Sequence, residues 1–193
     1  MGKFAAIILA AGFSRRFGET DKLSADLRGA PLLSHAIAAV AASKVAYRRI
    51  VVAPGRQALV DACGLAPEEL VINPRAEDGM GASIAAGIAA IAEDASLDGA
   101  IVALGDMPDV APTTIDRVIA AAADGAVAAP TYQGQRGHPV AFPRVLFPAL
   151  STLSGDAGAR DLVRAAEPPA RFVAVDDPGV VRDVDTPEDL TAN

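Results

Sequence analysis

The chain has 193 residues, of which 51% are hydrophobic, and it carries Lys+Arg 17 against Asp+Glu 24 for a formal net charge of −7. That apolar content excludes a disordered chain, and the length fits one domain. The acidic balance repels phosphate backbones and anionic lipid, which excludes nucleic acid and membrane surfaces as natural partners.

Apolar runs and helical patterns alternate along the chain, predicting an α/β architecture with a mainly parallel sheet. Phe4–Ala10 is continuously apolar, as a strand covered on both faces should be. Lys3 and this run have the outline of a short signal peptide. The run is at the short limit and leads into a Gly/Arg loop, so the expectation is a cytoplasmic protein without a cleaved leader. Pro31 should open a helix reaching about Ala42, with Leu33, Ile37 and Val40 on one stripe. A strand at Arg49–Ala53, a short helix at Gln57–Cys63 and a strand at Leu70–Ile72 follow. Gly81–Ala92 reads as a helix and Ala100–Leu104 as a buried strand. Thr113 is placed to cap a helix running to Ala123, closed by Gly125. A strand at Ala126–Ala129 and a polar turn at Tyr132–Gly137 precede a strand at Pro139–Phe142. Helical segments near Pro143–Leu150 and Ala157–Ala166 lead to a strand at Phe172–Val175. A last helix should start at Thr186-Pro187. The single cysteine, Cys63, allows no internal disulfide, and no Cys/His cluster has zinc spacing.

Ligands bind open α/β sheets at the carboxyl ends of the strands, so the loops there hold the candidate residues. The first contains Leu9-Ala10-Ala11-Gly12, Ser14, Arg15, Arg16 and Lys22. Its small residues let backbone N–H groups approach a phosphate, and its cations supply the charge a triphosphate needs. The loop is neither a P-loop nor a dinucleotide fingerprint, and its residues read equally as an ordinary solvated turn. Asp106 lies just beyond a buried strand. Asp183 and Asp185 alternate on an extended segment, so both can face one hard cation such as Mg²⁺. Aspartates at strand ends also serve as caps, and Asp185 could cap the helix after it. Asn73, Gly79 and Ser83 lead into a helix N-terminus suited to an anion, where Ser83 is either a ligand or a cap. His138 in Arg136-Gly137-His138-Pro139 reads as structural or substrate-orienting, since no Ser–His–Asp set accompanies it. Asp156 and Arg160 belong to a charged loop, Gly155–Arg160, that opens a helix and could bind an anion.

In order along the chain, Leu9-Ala10-Ala11-Gly12-x-Ser14-x-Arg16-x-Gly18 with Lys22-Leu23 is followed by Gly29-x-Pro31-Leu32-Leu33, Asn73-Pro74 and Gly79-Met80 with Ser83 and Gly87. Asp106-Met107-Pro108, Arg136-Gly137-His138-Pro139, Gly155-Asp156-x-Gly158-Ala159-Arg160 and Asp183-x-Asp185-Thr186-Pro187-Glu188-Asp189-Leu190 complete the series. This series resembles the nucleotidyltransferase family that includes molybdenum cofactor cytidylyltransferase. The likeness spans nearly the whole chain.

The resemblance implies a three-layer Rossmann-like α/β fold whose mostly parallel sheet contains one antiparallel strand. It further implies a nucleotide-binding N-terminal part and an acceptor-binding C-terminal part in a single nucleotidyltransferase domain, residues 1–193. Carried over, Leu9, Ala10, Ala11, Gly12, Ser14, Arg15, Asn73, Gly79 and Ser83 would bind nucleotide. Arg16 and Lys22 would hold the triphosphate and act with Asp106 in catalysis. Asp106 would bind Mg²⁺ with Asp185 or Asp183, while His138, Asp156 and Arg160 would face the pterin. The implied substrates are CTP and molybdenum-molybdopterin, and the implied client is an apoenzyme of the molybdenum hydroxylase type. Ala11 stands where guanylyl-transferring relatives usually carry glycine, and Leu23 where they often do, which favours CTP. Transfer of another nucleotide, a sugar or polyol phosphate acceptor, and a non-catalytic maturation chaperone are the competing readings.

Overall fold

A computed structural model describes residues 2–12, 17, 21–156 and 158–191. Strand β1 (Phe4–Ala10) is the axis of the fold, buried along almost its whole length. Its side chains alternate between two apolar layers: Phe4, Ala6, Ile8 and Ala10 face one, Ala5 and Ile7 the other. A strand can bury both faces in this way only when helices cover both sides of the sheet.

In chain order the elements after β1 are a hairpin of β2 (Asp26–Leu27) and β3 (Ala30–Pro31), then α1 (Leu32–Ala41), β4 (Arg48–Val52), α2 (Gln57–Ala62), β5 (Leu70–Ile72), α3 (Met80–Ala89) and β6 (Gly99–Leu104). The second half supplies α4 (Pro112–Ala122), β7 (Ala128–Tyr132), β8 (Gln135–Arg136), β9 (Val140–Pro143), α5 (Phe147–Leu150), α6 (Arg160–Arg164) and β10 (Arg171–Ala174). The main sheet runs β10-β7-β9-β6-β1-β4-β5, with β8 paired to β7. Strands β4 and β6 flank β1 and run parallel to it, and β5 continues parallel to β4. Strand β9 enters antiparallel between β6 and β7, and β10 returns parallel to β7. The expected Rossmann-like sheet, mostly parallel with an antiparallel strand, is therefore the observed one; the two-residue β8 is a further antiparallel stub beyond it.

The main layers follow from the sequence pattern. Leu32, Leu33, Ala36, Ile37 and Val40 of α1 and Ile115, Val118, Ile119 and Ala122 of α4 are buried on one face. Ile84, Gly87 and Ile88 of α3 and Phe147 and Leu150 of α5 are buried on the other. Gly87 lets α3 lie close on the sheet, since a Cβ there would strike the Ile7 side chain. Among the described residues no helix is long and apolar enough to cross a membrane.

Several boundaries differ from expectation for local reasons. Pro31 does not open α1; it is extended, pairs with Asp26 in the hairpin, and α1 begins one residue later. The hairpin itself is unforeseen and turns through Arg28 and Gly29, both at positive φ. Thr113 does not cap α4, because Pro112 takes the first helical position and Ala111 precedes it. The turn after β7 is a tight one at Gln133-Gly134, again at positive φ, which closes the β7–β8 hairpin. The helical stretch expected over Ala157–Ala166 contracts to α6, and the last helix is a 3₁₀ turn at Pro187–Leu190.

One buried carboxylate ties the C-terminal segment to the sheet. Asp177, 8% exposed, accepts from the Ala111 N–H at 3.0 Å, the Thr114 hydroxyl at 2.7 Å and the Gly179 N–H at 3.1 Å. Removing it strands three donors, two of them buried, so Asp177→Ala should destabilise the fold by about 3 kcal/mol. Equilibrium denaturation measures this, and a loss below about 1 kcal/mol would show that the donors find other partners.

Candidate active site

The chain leaves β1 for β4 and β5 on one side and returns to β6 on the other, so the loops after β1 and β6 diverge. Such a point in an open sheet leaves a crevice at the carboxyl ends of the strands. The Gly105 N–H donates to the Leu9 carbonyl at 2.9 Å, which carries the β1–β6 pairing up to the crevice floor. Above it lies a cavity of about 590 Å³ walled by Leu9, Ala11 and Gly12, by Lys22 and Leu23, and by Leu104 and Asp106. Gly79, Met80 and Ser83 at the start of α3, together with Asp156 and Asp185, close the remaining sides.

Lys22 is the electrostatic centre of this cavity. Its Nζ lies 2.8 Å from Asp106 Oδ2 and 3.3 Å from Asp185 Oδ1, and its side chain is only 12% exposed. The Asp21 carboxylate accepts from the Leu23 N–H at 3.1 Å and so caps the 3₁₀ turn Lys22–Ser24 that presents the ammonium. The Val184 N–H donates to the Asp106 carbonyl at 2.9 Å. Val184 is buried, which turns Asp183 and Asp185 outward on either side of it. Oxygens of Asp106, Asp183 and Asp185 thereby all come within 4.8 Å of one another. Three carboxylates in that space form an all-oxygen donor set of the kind hard divalent cations take. The capping alternative for Asp185 fails: Asp189 accepts from the Asp185 and Thr186 N–H groups at 3.0 and 2.8 Å and organises that turn.

The start of α3 forms the opposite wall. Gly79 has φ 91°, and a Cβ there would run into Gly155 and Asp156. The 154–156 segment docks by hydrogen bonds from the Gly155 N–H to the Asp78 carbonyl at 2.7 Å and from the Gly81 N–H to the Gly155 carbonyl at 2.8 Å. Ser83 lines the cavity but is no cap; its buried hydroxyl accepts from the Asn73 amide at 3.1 Å. Asn73 stands behind Ser83, with its side-chain oxygen occupied by the Arg75 N–H at 2.9 Å. Asp156, expected on the acceptor side, shares this cavity with Gly12, Lys22 and Gly79.

Of the other expected residues, Ala10 is buried beneath the floor, while Ser14, Arg15 and Arg16 lie outside the described residues. Arg160 is exposed at the start of α6 and does not line the cavity. Arg56 was not anticipated: its guanidinium holds Asp21 and donates to the Gly12 carbonyl at 2.8 Å. His138 sits under the site with α1 and α4 residues, its backbone N–H donating to the Val180 carbonyl at 2.8 Å. Its Nδ1 is buried and has no hydrogen-bond partner among the described residues.

Burial pushes the His138 imidazole below its ordinary pKa, against the pull of the Asp106 carboxylate and the Val102 backbone; Arg160 lowers it further and Asp183 opposes. The unfolded imidazole protonates near about pH 6.5, so the unfolded chain gains more protons as pH falls through that value and stability falls with it. The melting temperature of His138→Gln should therefore depend less steeply on pH than that of wild type between about pH 7 and 5. Parallel curves would show that His138 titrates normally in the folded protein.

The chain is similar to known proteins in sequence and in fold. The model of the MobA-like NTP transferase domain matches residues 6–170. Nicotine blue oxidoreductase of Paenarthrobacter nicotinovorans is 31% identical over 95% of this chain and 93% of its own. Purine catabolism protein PucB of Bacillus subtilis (strain 168) is 30% identical over 95% and 92%. The crystal structure of Rv0371c from Mycobacterium tuberculosis H37Rv superposes with a TM-score of 0.83 at 29% identity, covering 98% of this chain and 96% of that one. A manganese complex of Rv0371c superposes with a TM-score of 0.78 at 25% identity, over 98% and 96%. The chain belongs to the family of proteins with a MobA-like NTP transferase domain.

Proposed function

We propose that this protein transfers CMP from CTP to the phosphate of molybdenum-molybdopterin in the cytoplasm, with release of pyrophosphate and in a Mg²⁺-dependent manner. The observation that carries the reading is Lys22 held against Asp106 and Asp185 on the wall of a 590 Å³ cavity. That volume is in the range of small-molecule sites, and its floor is backbone at Ala11–Gly12, which can approach a phosphate closely. The cluster of Asp106, Asp183 and Asp185 fits a hard cation, and the manganese complex of the relative Rv0371c supports a metal for the fold. Asp106 with Asp185 or Asp183 would hold Mg²⁺, which supplies charge neutralisation on the phosphates when bound.

An acceptor phosphate oxygen attacks the α-phosphorus, the bond from that phosphorus to the β-phosphate bridging oxygen breaks, and the electron pair leaves on pyrophosphate. A phosphate monoester with a second pKa near about 6 is already largely dianionic at neutral pH. No general base is then required, which suits a site whose histidine is half-buried beneath it. Lys22 faces the leaving pyrophosphate, where charge grows in the transition state, and the cavity walls set the in-line geometry. The start of α3, whose Gly81 N–H is already bonded to the Gly155 carbonyl, adds its dipole, and the backbone at Gly12 completes the anion cradle. The preference for cytosine over a purine rests on the resemblance at Ala11, which borders the cavity.

The names of the two relatives, an oxidoreductase and a purine catabolism protein, support a second reading. There the chain is a maturation factor that delivers a bound cofactor to an oxidoreductase client without transferring a nucleotide. A screen of CTP, GTP and ATP against molybdenum-molybdopterin and sugar phosphates, scored by pyrophosphate release, separates the readings. Magnesium-dependent release with CTP and the pterin is the expected result; no release with any pair leaves the delivery reading. Asp106→Asn should abolish most of that release while the protein melts as wild type does. Retained turnover would reduce Asp106 to a structural group.

A further inference from the structure

Strand β4 runs parallel to β1, so the loop after β4 emerges beside the loop after β1. The β4 loop reads Ala53-Pro54-Gly55-Arg56, and Gly55, at φ 80°, turns it so that Arg56 stands immediately before α2. Arg56 is only 15% exposed and makes two contacts. One guanidinium nitrogen meets the Asp21 carboxylate, and the other donates to the Gly12 carbonyl at 2.8 Å. In the sequence Gly12 and Asp21 flank the segment that contains Ser14, Arg15 and Arg16. A single planar side chain therefore binds both shoulders of the loop that precedes Lys22.

The Asp21 contact continues into the site. Asp21 receives Arg56 on one oxygen and the Leu23 N–H on the other, at 3.1 Å. That second bond fixes the Lys22–Ser24 turn, and the turn aims the Lys22 ammonium at Asp106 and Asp185. Without Arg56 the Asp21 carboxylate is freed to rotate away or to take Lys22 for itself. The Gly12 carbonyl, next to the backbone that would cradle a phosphate, also loses its donor.

We propose that Arg56 is a positioning residue for nucleotidyl transfer, acting through Asp21 to hold Lys22 and through the Gly12 carbonyl to hold the floor of the nucleotide cavity. The inference rests on the nucleotidyltransferase reading. Arginine suits the task because its fork spans two acceptors at fixed angles, whereas a lysine can satisfy one but not both in that geometry.

The test is a double-mutant cycle on kcat and KM for CTP, measured by pyrophosphate release with the molybdenum-loaded pterin. Arg56→Ala should lower kcat/KM about tenfold in the wild-type background and less than about twofold in Lys22→Ala, because the displaced group is then already missing. Asp21→Asn should reproduce most of the Arg56→Ala loss and add little to it, and it keeps the inference testable if Arg56→Ala folds poorly. Arg56→Lys should recover only part of the activity. Equal losses from Arg56→Ala with and without Lys22, in proteins of unchanged melting temperature, would overturn the positioning role while leaving the transferase reading intact. A wild-type protein that releases no pyrophosphate from any nucleotide would overturn both.

Discussion

Three carboxylates within 4.8 Å of one another are the constraint on which this site turns. Two unit charges at that separation repel by about 3 kcal/mol at an effective dielectric of about 20, less where solvent screens Asp183 and Asp185. The fold tolerates the cluster because Lys22, itself mostly buried, sits 2.8 Å from Asp106 and 3.3 Å from Asp185. Each partner explains the other: an ammonium this shielded needs counter-charge, and carboxylates this close need a cation. A triphosphate with a divalent ion brings both charges, so the residues that neutralise each other here are those that would engage the two halves of such a ligand.

The backbone pays for this arrangement in parts remote from the charges. The parallel pairing of β1 with β4 and β6 delivers Gly12, Arg56 and Asp106 to one end of the sheet. The C-terminal segment reaches the same place by the bond from the Val184 N–H to the Asp106 carbonyl and by the Asp177 carboxylate, which anchors the chain a few residues earlier. The start of α3 is closed by the 154–156 segment, which fits because residue 79 is a glycine. Distant stretches of the chain thus meet largely through main-chain pairing.

Much of this was readable in the residues. Phe4–Ala10 and Ala100–Leu104 are unbroken apolar runs, and both are central strands, because continuous hydrophobicity marks burial on two faces. The alternation of Asp183 and Asp185 around Val184 predicted their shared side. What escaped the sequence depended on contacts between distant segments or on backbone that no periodicity marks. The hairpin at Asp26–Pro31 has strands of two residues, too short to show alternation, and only Arg28-Gly29 hinted at its turn. Arg56 follows Pro54-Gly55, an unremarkable turn, and its importance rests on β4 lying next to β1, which is a fact of topology. Thr113 has capping chemistry, but Pro112 takes the position before it and Thr114 turns to Asp177 instead.

The proposed function requires Lys22, Asp106 and the aspartates at 183 and 185 to act together as a metal–triphosphate site. Crystals grown with CTP and MnCl₂ test it most directly, through the anomalous difference density of manganese. The expected result is a single strong peak coordinated by Asp106 and by Asp183 or Asp185, with Lys22 turned onto the phosphates in the cavity above Ala11–Gly12. Manganese elsewhere, or nucleotide bound while Lys22 stays paired with Asp106 and Asp185 and no metal joins them, would contradict it.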